Sequence, residues 1–499
     1  MDQDRLVELL DSFYDPGTKK ELTLLKILER HGGWISLHEL QTISGFSRPT
    51  LIKHLTHSIE DSRDNASFCL RADKKRGYYL EVHNSFDCGQ YYRNRLYSMW
   101  PIQFVKELVL KKAVNKNFFV QDFFISDSSL KQKIRQIRML LRGFDVELVI
   151  DTGKYYVVGD EANIRRLSEE FFWEFFKGSV WPFDSVNEEQ IIEKTKIILT
   201  NDYNALSMIE QRKLHYQLAI QEIRCSNGFF FQMVPTLARL TPILDRSIKD
   251  PAYQSSFFPS LNEMYYFYFL LAAKIEYYPC LKFDFLPDAK KDDQLAKLSQ
   301  LNIKIIEYIS QSIEAINAEQ TQFLCDFLFS THVNLKMYGN VHSLNSTTVG
   351  QRRSAILDRH IEKITDIICS QFSLTAEVEA FLSSRYKLVL LQLFPPKLFE
   401  PIIRIGFCTE LNFALERKMI QLLELYFSDL YNVQFSSGVA EPSESLDIMV
   451  HTSLAPEVFL AKNVKQTVYI DIRNLYHPGL SKLIDLIAGC IVEIQQANS

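Results

Sequence analysis

One local pattern occurs twice in the N-terminal third of this chain, and it restricts what the chain can fold into. The pattern is a helix, a short helix, a tight turn, a capped helix and a two-stranded hairpin. In the first copy, residues 20–31 have apolar positions at roughly helical spacing, and Ser36 and Glu39 have the spacing of a capping box. Gly45 suits the tight turn, and Ser47 suits the cap of the third helix. This order predicts a helix-turn-helix.

A basic hairpin follows the third helix of the first copy. Leu51, Leu55 and Ile59 form an apolar stripe, which turns the polar side chains of that helix outward. Residues 67–82 predict two strands around a turn at 73–77, where a winged helix has its wing. The second helix of a helix-turn-helix enters the major groove of DNA, and a basic wing contacts phosphates. The candidate DNA-binding residues of this copy are Arg48, Thr50, Lys53, His54, Lys74, Lys75 and Arg76.

The second copy has the denser basic and amide face. Residues 101–113 and 117–124 predict two helices, a longer helix runs from Ser128, and residues 146–159 predict another hairpin. Gln and Arg suit adenine and guanine edges, and Lys suits phosphate. The candidate DNA-binding residues here are Ser128, Ser129, Lys131, Gln132, Lys133, Arg135, Gln136 and Lys154. We expect this helix to be the principal contact; the alternative is a basic helix on the surface of an ordinary bundle.

The charge distribution agrees with a DNA-binding end. The net charge of −5 by itself argues against a nucleic-acid binder. However, residues 48–142 hold 18 Lys and Arg against 9 Asp and Glu, whereas residues 161–499 hold 32 against 40. A basic N-terminal part on an acidic body fits DNA binding joined to regulatory domains.

Three segments resemble a known family. They are ISDSSLKQKIRQI at 125–137, VVGDEANIRRLSEEFFWEFF at 157–176 and WPF at 181–183. Together with the tandem winged helices, they resemble the Mga/AtxA/RofA-like regulators of Gram-positive bacteria. The resemblance implies a transcription factor that binds double-stranded promoter DNA, controls virulence or surface-protein genes and has RNA polymerase as a further partner.

The middle of the chain predicts two helical domains of similar length. Residues 161–287 and 288–396 carry aromatic stripes at helical spacing, with a charged, proline-containing linker at 283–293. In the resembled family these are phosphotransferase-system (PTS) regulation domains, whose histidines accept phosphate from the sugar-uptake relay through the phosphocarrier protein HPr. The phosphorylation sites carried over are His332 and His215, with His342 and His360 as weaker alternatives. The other interpretation is a histidine that is hydrogen-bonded or merely exposed.

Residues 397–499 predict a different architecture. Predicted strands lie at 402–407, 431–437, 446–453 and 466–472 and alternate with helices, which is typical of a small α/β domain with a largely parallel sheet. This part resembles the enzyme IIB component of sugar transporters, in which a cysteine after the first strand is phosphorylated. Cys408 stands at that place, but Glu410 follows it and no glycine lets backbone N–H groups close on phosphate. We therefore expect dimerisation or sensing instead of phosphocysteine chemistry, and self-association is the family's known use of this domain.

The fold class that follows is a mainly α, multidomain protein. Its expected domains are a winged helix-turn-helix at 1–84, a second, Mga-type winged helix-turn-helix at 85–160, PTS regulation domains at 161–287 and 288–396, and the IIB-like domain at 397–499.

Composition excludes several other classes. The eight cysteines are scattered without metal-ligand spacing, and no apolar run is long enough for a membrane span. We expect a cytoplasmic protein that is not an enzyme and has no metal or cofactor. Two alternatives stay open. One is an RNA-binding antiterminator with paired regulation domains, which would normally begin with a small β-domain. The other is an enzyme of the phosphoryl-transfer relay, which no phosphate-binding loop supports.

Overall fold

The structure is a computed structural model that is mostly helical, as expected from the sequence. It describes residues 13, 15–62, 68–82, 91, 93–95, 97–123, 125–248, 250–281, 293–339, 354–369, 375–437, 446–452, 464–471 and 478–497. Two compact units are present. The first contains the described residues up to 281 together with 332–339, and the second contains 293–331 and the described residues from 354 onward. Among the helices described, none is both long and apolar enough to cross a membrane.

The first winged unit has the predicted order of elements. They are α1 (Pro16–His31), α2 (Leu37–Ser44), α3 (Arg48–Ser62), β1 (Phe68–Asp73) and β2 (Gly77–Val82). The capping box is confirmed, because the Ser36 hydroxyl accepts the Glu39 N–H and the Glu39 carboxylate accepts the Ser36 N–H. β1 and β2 pair antiparallel, and Ile35 joins β2 through two backbone hydrogen bonds with Tyr78, of 2.9 and 2.8 Å. The apolar sides of the helices pack against this small sheet.

Gly77 fixes the path of the first wing. Its φ is +96°, and a Cβ atom at this position would lie 2.1 Å from the carbonyl oxygen of Ile35. Two heavy atoms overlap at that distance, so any side chain at position 77 would force the Ile35–Tyr78 bridge apart. The turn therefore depends on glycine at this one position.

The second winged unit repeats the arrangement. Its elements are α4 (Trp100–Leu110), β3 (Val114–Asn115), α5 (Lys116–Asp122), α6 (Asp127–Arg142), β4 (Glu147–Asp151) and β5 (Lys154–Val158). The sheet order is β3-β5-β4, so the short strand before the second helix again pairs with the second hairpin strand. Thr152 and Gly153 have φ of 46° and 77°, and a type I′ turn requires positive φ at both positions. The apolar stripe of α6 is buried at Leu130, Ile134, Ile137 and Leu141.

Predicted helix limits differ from the structure at several points in the second winged unit, where α5 is Lys116–Asp122 instead of 117–124. α4 ends at Leu110 instead of continuing to residue 113, because Lys111 is extended (φ −98°, ψ 159°) and leads into β3. α6 begins at Asp127 instead of Ser128, because the Ser126 hydroxyl accepts the Ser129 N–H at 3.2 Å and caps the helix one residue earlier.

A helical region completes the first unit. Its elements are α7 (Glu161–Phe176), α8 (Glu188–Leu199), a 3-10 helix (Thr200–Ala205), α9 (Met208–Ser226), α10 (Pro235–Ala238), α11 (Thr241–Ser247), α12 (Pro251–Ser255), α13 (Leu261–Ala272) and a second 3-10 helix (Ile275–Cys280). α7 follows the second wing directly and is buried along most of its length.

Four charged residues, of which Arg165, Arg224 and Glu263 are buried and Glu161 is nearly so, join α7, α9 and α13. Arg165 donates to Glu263 at 2.7 Å and to Glu161 at 2.8 Å. Arg224 donates two hydrogen bonds to the same Glu161 carboxylate, at 2.6 and 2.9 Å. Each charge has a partner within the network, which offsets the cost of removing it from water. We call these four residues the buried ion network.

The same network holds the end of α4. Arg224 also donates to the carbonyl oxygen of Val109 at 3.2 Å, and the Asn227 amide donates to the carbonyl oxygen of Leu110 at 3.1 Å. These are carbonyls of the last turn of α4, which have no partner within their own helix. α9 therefore caps the first helix of the second winged unit.

The second unit combines helices with a parallel sheet. Its helices are α14 (Asp293–Ser312), the part of α15 (Ala318–Tyr338) up to residue 331, α16 (Ala355–Cys369) and α17 (Ala376–Leu393). The sheet and its helices are β6 (Ile403–Cys408), α18 (Phe413–Phe427), β7 (Val433–Ser437), β8 (Ile448–His451), β9 (Gln466–Tyr469) and α19 (Pro478–Ala497). The strand order is β7-β6-β8-β9 and every pair is parallel, which confirms the predicted sheet type.

The five-domain division stays a prediction. The expected linker at 283–293 lies, apart from Asp293, outside the described residues.

Gly77→Ala is expected to destabilise the first winged unit strongly, with Gly153→Ala as a matched control. Both glycines have positive φ, but nothing lies within 4 Å of a Cβ atom at position 153. The control should lose about 1 kcal/mol of unfolding free energy from backbone conformation alone. Gly77→Ala should lose about 3 kcal/mol or more, because the Ile35 bridge must open. Chemical unfolding followed by circular dichroism measures both losses, and equal losses would contradict the steric role of Ile35.

Candidate nucleic-acid interface

The candidate residues of α3 divide into exposed and partly covered side chains. Arg48 and Lys53 are exposed and form no hydrogen bond or ion pair with the described residues. The Thr50 hydroxyl is 2.8 Å from the Ser47 hydroxyl, so it is partly committed to the start of the helix. His54 is half-buried beside Gly17, and this burial lowers its pKa. Arg48 and Lys53 are therefore the cations that α3 presents to solvent.

The first wing presents three cations on a fixed turn. The Asp73 carboxylate accepts the backbone N–H groups of Lys75 at 2.8 Å and Arg76 at 2.9 Å, and these bonds lower the pKa of Asp73. Lys74 and Lys75 are exposed. The Arg76 guanidinium lies 5.9 Å from the centroid of the Trp34 ring. The wing thus has a rigid backbone with its basic side chains outside.

Three side chains of α6 point freely to solvent. Lys131, Gln132 and Arg135 are exposed and form no hydrogen bond or ion pair within the described part of the chain. Their spacing of one and four residues places them on one side of the helix. Ser128 is exposed too, with its hydroxyl 2.9 Å from that of Ser126. This side of α6 offers two cations and an amide to a partner.

Three other candidates on α6 do not face solvent as predicted. Lys133 is half-buried, and burial lowers its pKa although the nearby Asp15 opposes the shift. The Gln136 Oε1 atom is buried and has no hydrogen-bond partner among the described residues. Ser129 is half-buried, and its backbone N–H serves the helix cap. The outward face of α6 is therefore narrower than expected, because protein covers one edge of it.

The second wing is weaker as an anion site than the first. Lys154 is exposed at the start of β5, opposite Asp151 in the hairpin register. It is the single basic residue in the hairpin from Glu147 to Val158, whereas the first wing has three in succession. The first winged unit thus presents its charge on both helix and wing, and the second presents it mainly on α6.

The second winged unit is similar to a domain of known proteins. Residues 85–176, which contain the second winged unit and all of α7, match the Mga helix-turn-helix domain family. Over this segment the chain is similar to the Mga helix-turn-helix domain. The resemblance drawn from residues 125–183 is thereby confirmed.

Two relatives share part of their length with this chain. A "Putative trans-acting regulator" of Streptococcus pneumoniae is 20% identical over 215 residues, which are 43% of this chain and 42% of that protein. The "Capsule synthesis positive regulator AcpA" of Bacillus anthracis is 22% identical over 198 residues, which are 38% of this chain and 40% of that protein. The chain thus spans about two-fifths of the length of each relative.

His215, a predicted phosphorylation site, is buried beneath the first 3-10 helix. Its Nε2 atom lies 3.2 Å from the Tyr203 hydroxyl, and the two rings stack with centroids 6.0 Å apart. Its Nδ1 atom is buried without a hydrogen-bond partner among the described residues. Burial, aided by the charge of Arg212, lowers the pKa of His215 to about 4, so the ring is neutral at pH 7. The ring is in the nucleophilic form but closed to a phosphate donor.

His332 on α15 is also buried. Burial, aided by the charge of Lys336, lowers its pKa to about 4. His360 is half-buried, with Nδ1 3.0 Å from the Tyr308 hydroxyl, and His342 lies outside the described residues. Phosphorylation of either principal candidate therefore requires a local opening of the fold.

The loop after β6 is occupied by a carboxylate. Glu416 of α18 is buried and accepts hydrogen bonds from the hydroxyls of Thr409 and Ser437. Cys408 is half-buried at the end of β6, at the start of the same loop. A phosphate dianion placed there would meet this negative charge, which agrees with the expectation that Cys408 carries no phosphate.

One group of side chains has the composition of a metal site. Glu21, His57 and Asp61 bring three ligand atoms within 4.8 Å of one another. Arg95 lies on both carboxylates, 3.5 Å from Glu21 and 3.6 Å from Asp61, so a protein cation already balances them. We interpret the group as an ion-pair cluster that ties α3 to α1. The absence of a metal stays a prediction.

His215 is expected to react slowly with diethylpyrocarbonate in the native protein. The exposed His31 and His38 should react at least about ten times faster, because His215 reacts only after local opening. Tyr203→Ala should accelerate the reaction of His215, and Tyr203→Phe, which keeps the covering ring, should leave it near the native rate. Mass spectrometry of peptides measures each site. A His215 that reacts as fast as His38 would contradict its burial.

Proposed function

We propose that this protein is a DNA-binding transcriptional regulator that contacts duplex promoter DNA through α3, α6 and the first wing. The observation that carries the proposal is the exposed group Lys131, Gln132 and Arg135 on the capped third helix of a winged unit. That helix lies inside the segment that matches the Mga helix-turn-helix domain. Arg and Gln can bond to base edges in the major groove, while Lys neutralises phosphate.

We base the proposed target genes on the names of the two relatives. One relative is named for positive regulation of capsule synthesis, and the other as a trans-acting regulator. We assign the chain to the control of virulence or surface-protein genes and assign it no enzymatic activity.

Control by carbohydrate status is the regulatory part of the proposal. Phosphate from HPr would go to His332 or His215 when the fold around the ring opens. A phosphoryl group adds roughly −1.5 to −2 charge. Burying this charge again in the closed, apolar site would be unfavourable. Phosphorylation would therefore hold the helical region in its opened form. When the modified residue is His215, the opened region includes α9, the helix that also holds α4.

Self-association through the α/β domain is supported by one exposed helix face. Leu415, Leu422, Leu425 and Tyr426 of α18 are 49%, 48%, 76% and 49% exposed. The adjacent side of the helix, with Met419, Leu423 and Phe427, packs into the core of the sheet. One apolar face of this helix is covered by the sheet. We propose that a second copy of this chain covers the other face.

The RNA-binding antiterminator is the second function to test. Its test is direct, because the protein should bind duplex promoter DNA more tightly than an RNA hairpin of equal charge if the proposal is right.

Replacing Lys131 and Arg135 together by alanine is expected to weaken duplex DNA binding without unfolding the protein. Two lost cations should flatten the slope of log K against log salt by roughly two units. Arg359→Ala with Lys363→Ala is a matched control, since it removes the same charges at the same spacing from exposed positions on α16. Gel-shift titration at several salt concentrations measures both variants. Equal effects would show that α6 is not a DNA contact.

Leu422→Ser with Leu425→Ser is expected to shift the protein from dimer towards monomer. Removing two exposed leucines takes apolar area from the proposed interface without touching the core of the sheet. Met208→Ser with Ile209→Ser, which changes two exposed apolar residues of α9, is the control. Sedimentation equilibrium over a range of concentrations measures the mass. An unchanged mass for the α18 variant would contradict this interface.

A further inference from the structure

Arg76 differs from the other two basic residues of the first wing. Its guanidinium lies over the Trp34 ring at 5.9 Å, and the Trp34 and Tyr79 rings lie 5.6 Å apart. Lys74 and Lys75 form no such contact with any described residue. Arg76 is thus the wing cation whose side chain has a partner in the fold.

The ring that holds Arg76 is itself fixed. Trp34 precedes Ile35, whose backbone is hydrogen-bonded to Tyr78 of β2. This bridge places Trp34 beside the wing, where it meets Tyr79 and Arg76. The ring therefore belongs to the same rigid sheet as the wing.

The backbone of Arg76 is fixed from the other side. Its N–H donates to the Asp73 carboxylate at 2.9 Å, and the next residue is Gly77 with its obligatory turn geometry. Asp73 and Arg76 nevertheless form no ion pair within 4 Å among the described residues, and the Arg76 side chain is exposed. Both ends of the Arg76 side chain are constrained while the charged group stays exposed.

A constrained cation binds an anion at a lower entropic cost than a free one. A lysine on a mobile stem loses rotamer freedom when it contacts phosphate, whereas an arginine whose guanidinium already contacts a ring loses less. Counterion release depends on the number of charges and not on how they are held. The two effects can therefore be separated by experiment.

We propose that Trp34 is a positioning residue that holds Arg76 in place for a phosphate of duplex DNA. Arg76 then contributes more to affinity than Lys74 or Lys75, although all three contribute equally to the salt dependence. The inference rests on the proposed DNA-binding function and names the contact that the first wing makes.

The test compares the slope of log K against log salt with the affinity at one salt concentration. The probe is a labelled duplex of mixed sequence, titrated with the full chain and followed by fluorescence anisotropy. Lys75→Ala and Arg76→Ala should each flatten the slope by roughly one unit. At equal salt, Arg76→Ala should lose about tenfold in affinity, and Lys75→Ala should lose only about threefold because it loses no preorganised contact.

Trp34 variants separate position from charge. Trp34→Leu should weaken binding and leave the slope unchanged, since no charge is lost. It should cause no further loss in the Arg76→Ala background, but its effect should add to that of Lys75→Ala. Trp34→Phe, which keeps a ring under the guanidinium, should recover part of the affinity.

Arg76→Lys tests the same contact without disturbing the tryptophan. It keeps the charge but loses the planar group, so it should reproduce the loss and the unchanged slope of Trp34→Leu. Equal losses for Arg76→Ala and Lys75→Ala, or full additivity of Trp34→Leu with Arg76→Ala, would overturn the inference. A wild-type chain that does not bind the duplex would instead overturn the proposed DNA-binding function.

Discussion

The first unit depends on the buried ion network of Glu161, Arg165, Arg224 and Glu263. Charges removed from water cost several kcal/mol each unless they are paired and hydrogen-bonded, and here every one has at least one partner at 3.0 Å or less. Arg224 connects the helical region to the second winged unit, because it pairs with Glu161 of α7 and donates to the end of α4. Loss of its side chain would leave Glu161 with one partner and the last turn of α4 short of a donor.

This network links the candidate regulatory site to the candidate DNA-binding part. His215 and Arg224 lie on the same helix, α9, and α7 starts two residues after the second wing ends. A displacement of α9 caused by opening around His215 would move Arg224, and α4 would lose or shift its cap. The second winged unit is thus held at two points, by its covalent connection to α7 and by the hydrogen bonds to Val109 and Leu110. A structural change in the helical region would therefore act directly on the second winged unit through these two connections.

Sequence reasoning succeeded where the cause is local. The capping box of Ser36 and Glu39, the buried stripe of α6 and the parallel sheet follow from spacing and residue type, and the structure has all three. It failed where the cause is tertiary. Lys133 and Gln136 look like outward residues on a helical projection, but helix periodicity does not show what packs on the helix. The contact of the Arg76 guanidinium with the Trp34 ring joins residues 42 positions apart, so no local pattern could indicate it.

The shape of the first wing and its charge are set by different residues. Asp73 and Gly77 determine the path of the turn, while the exposed side chains at 74 and 75 form no hydrogen bond, ion pair or ring contact with the described residues. Substitutions at these two positions can raise or lower affinity for nucleic acid without a penalty in folding. The wing is therefore a place where binding strength can be adjusted in small, independent steps, by evolution or by an engineer, while α3 and α6 keep their positions.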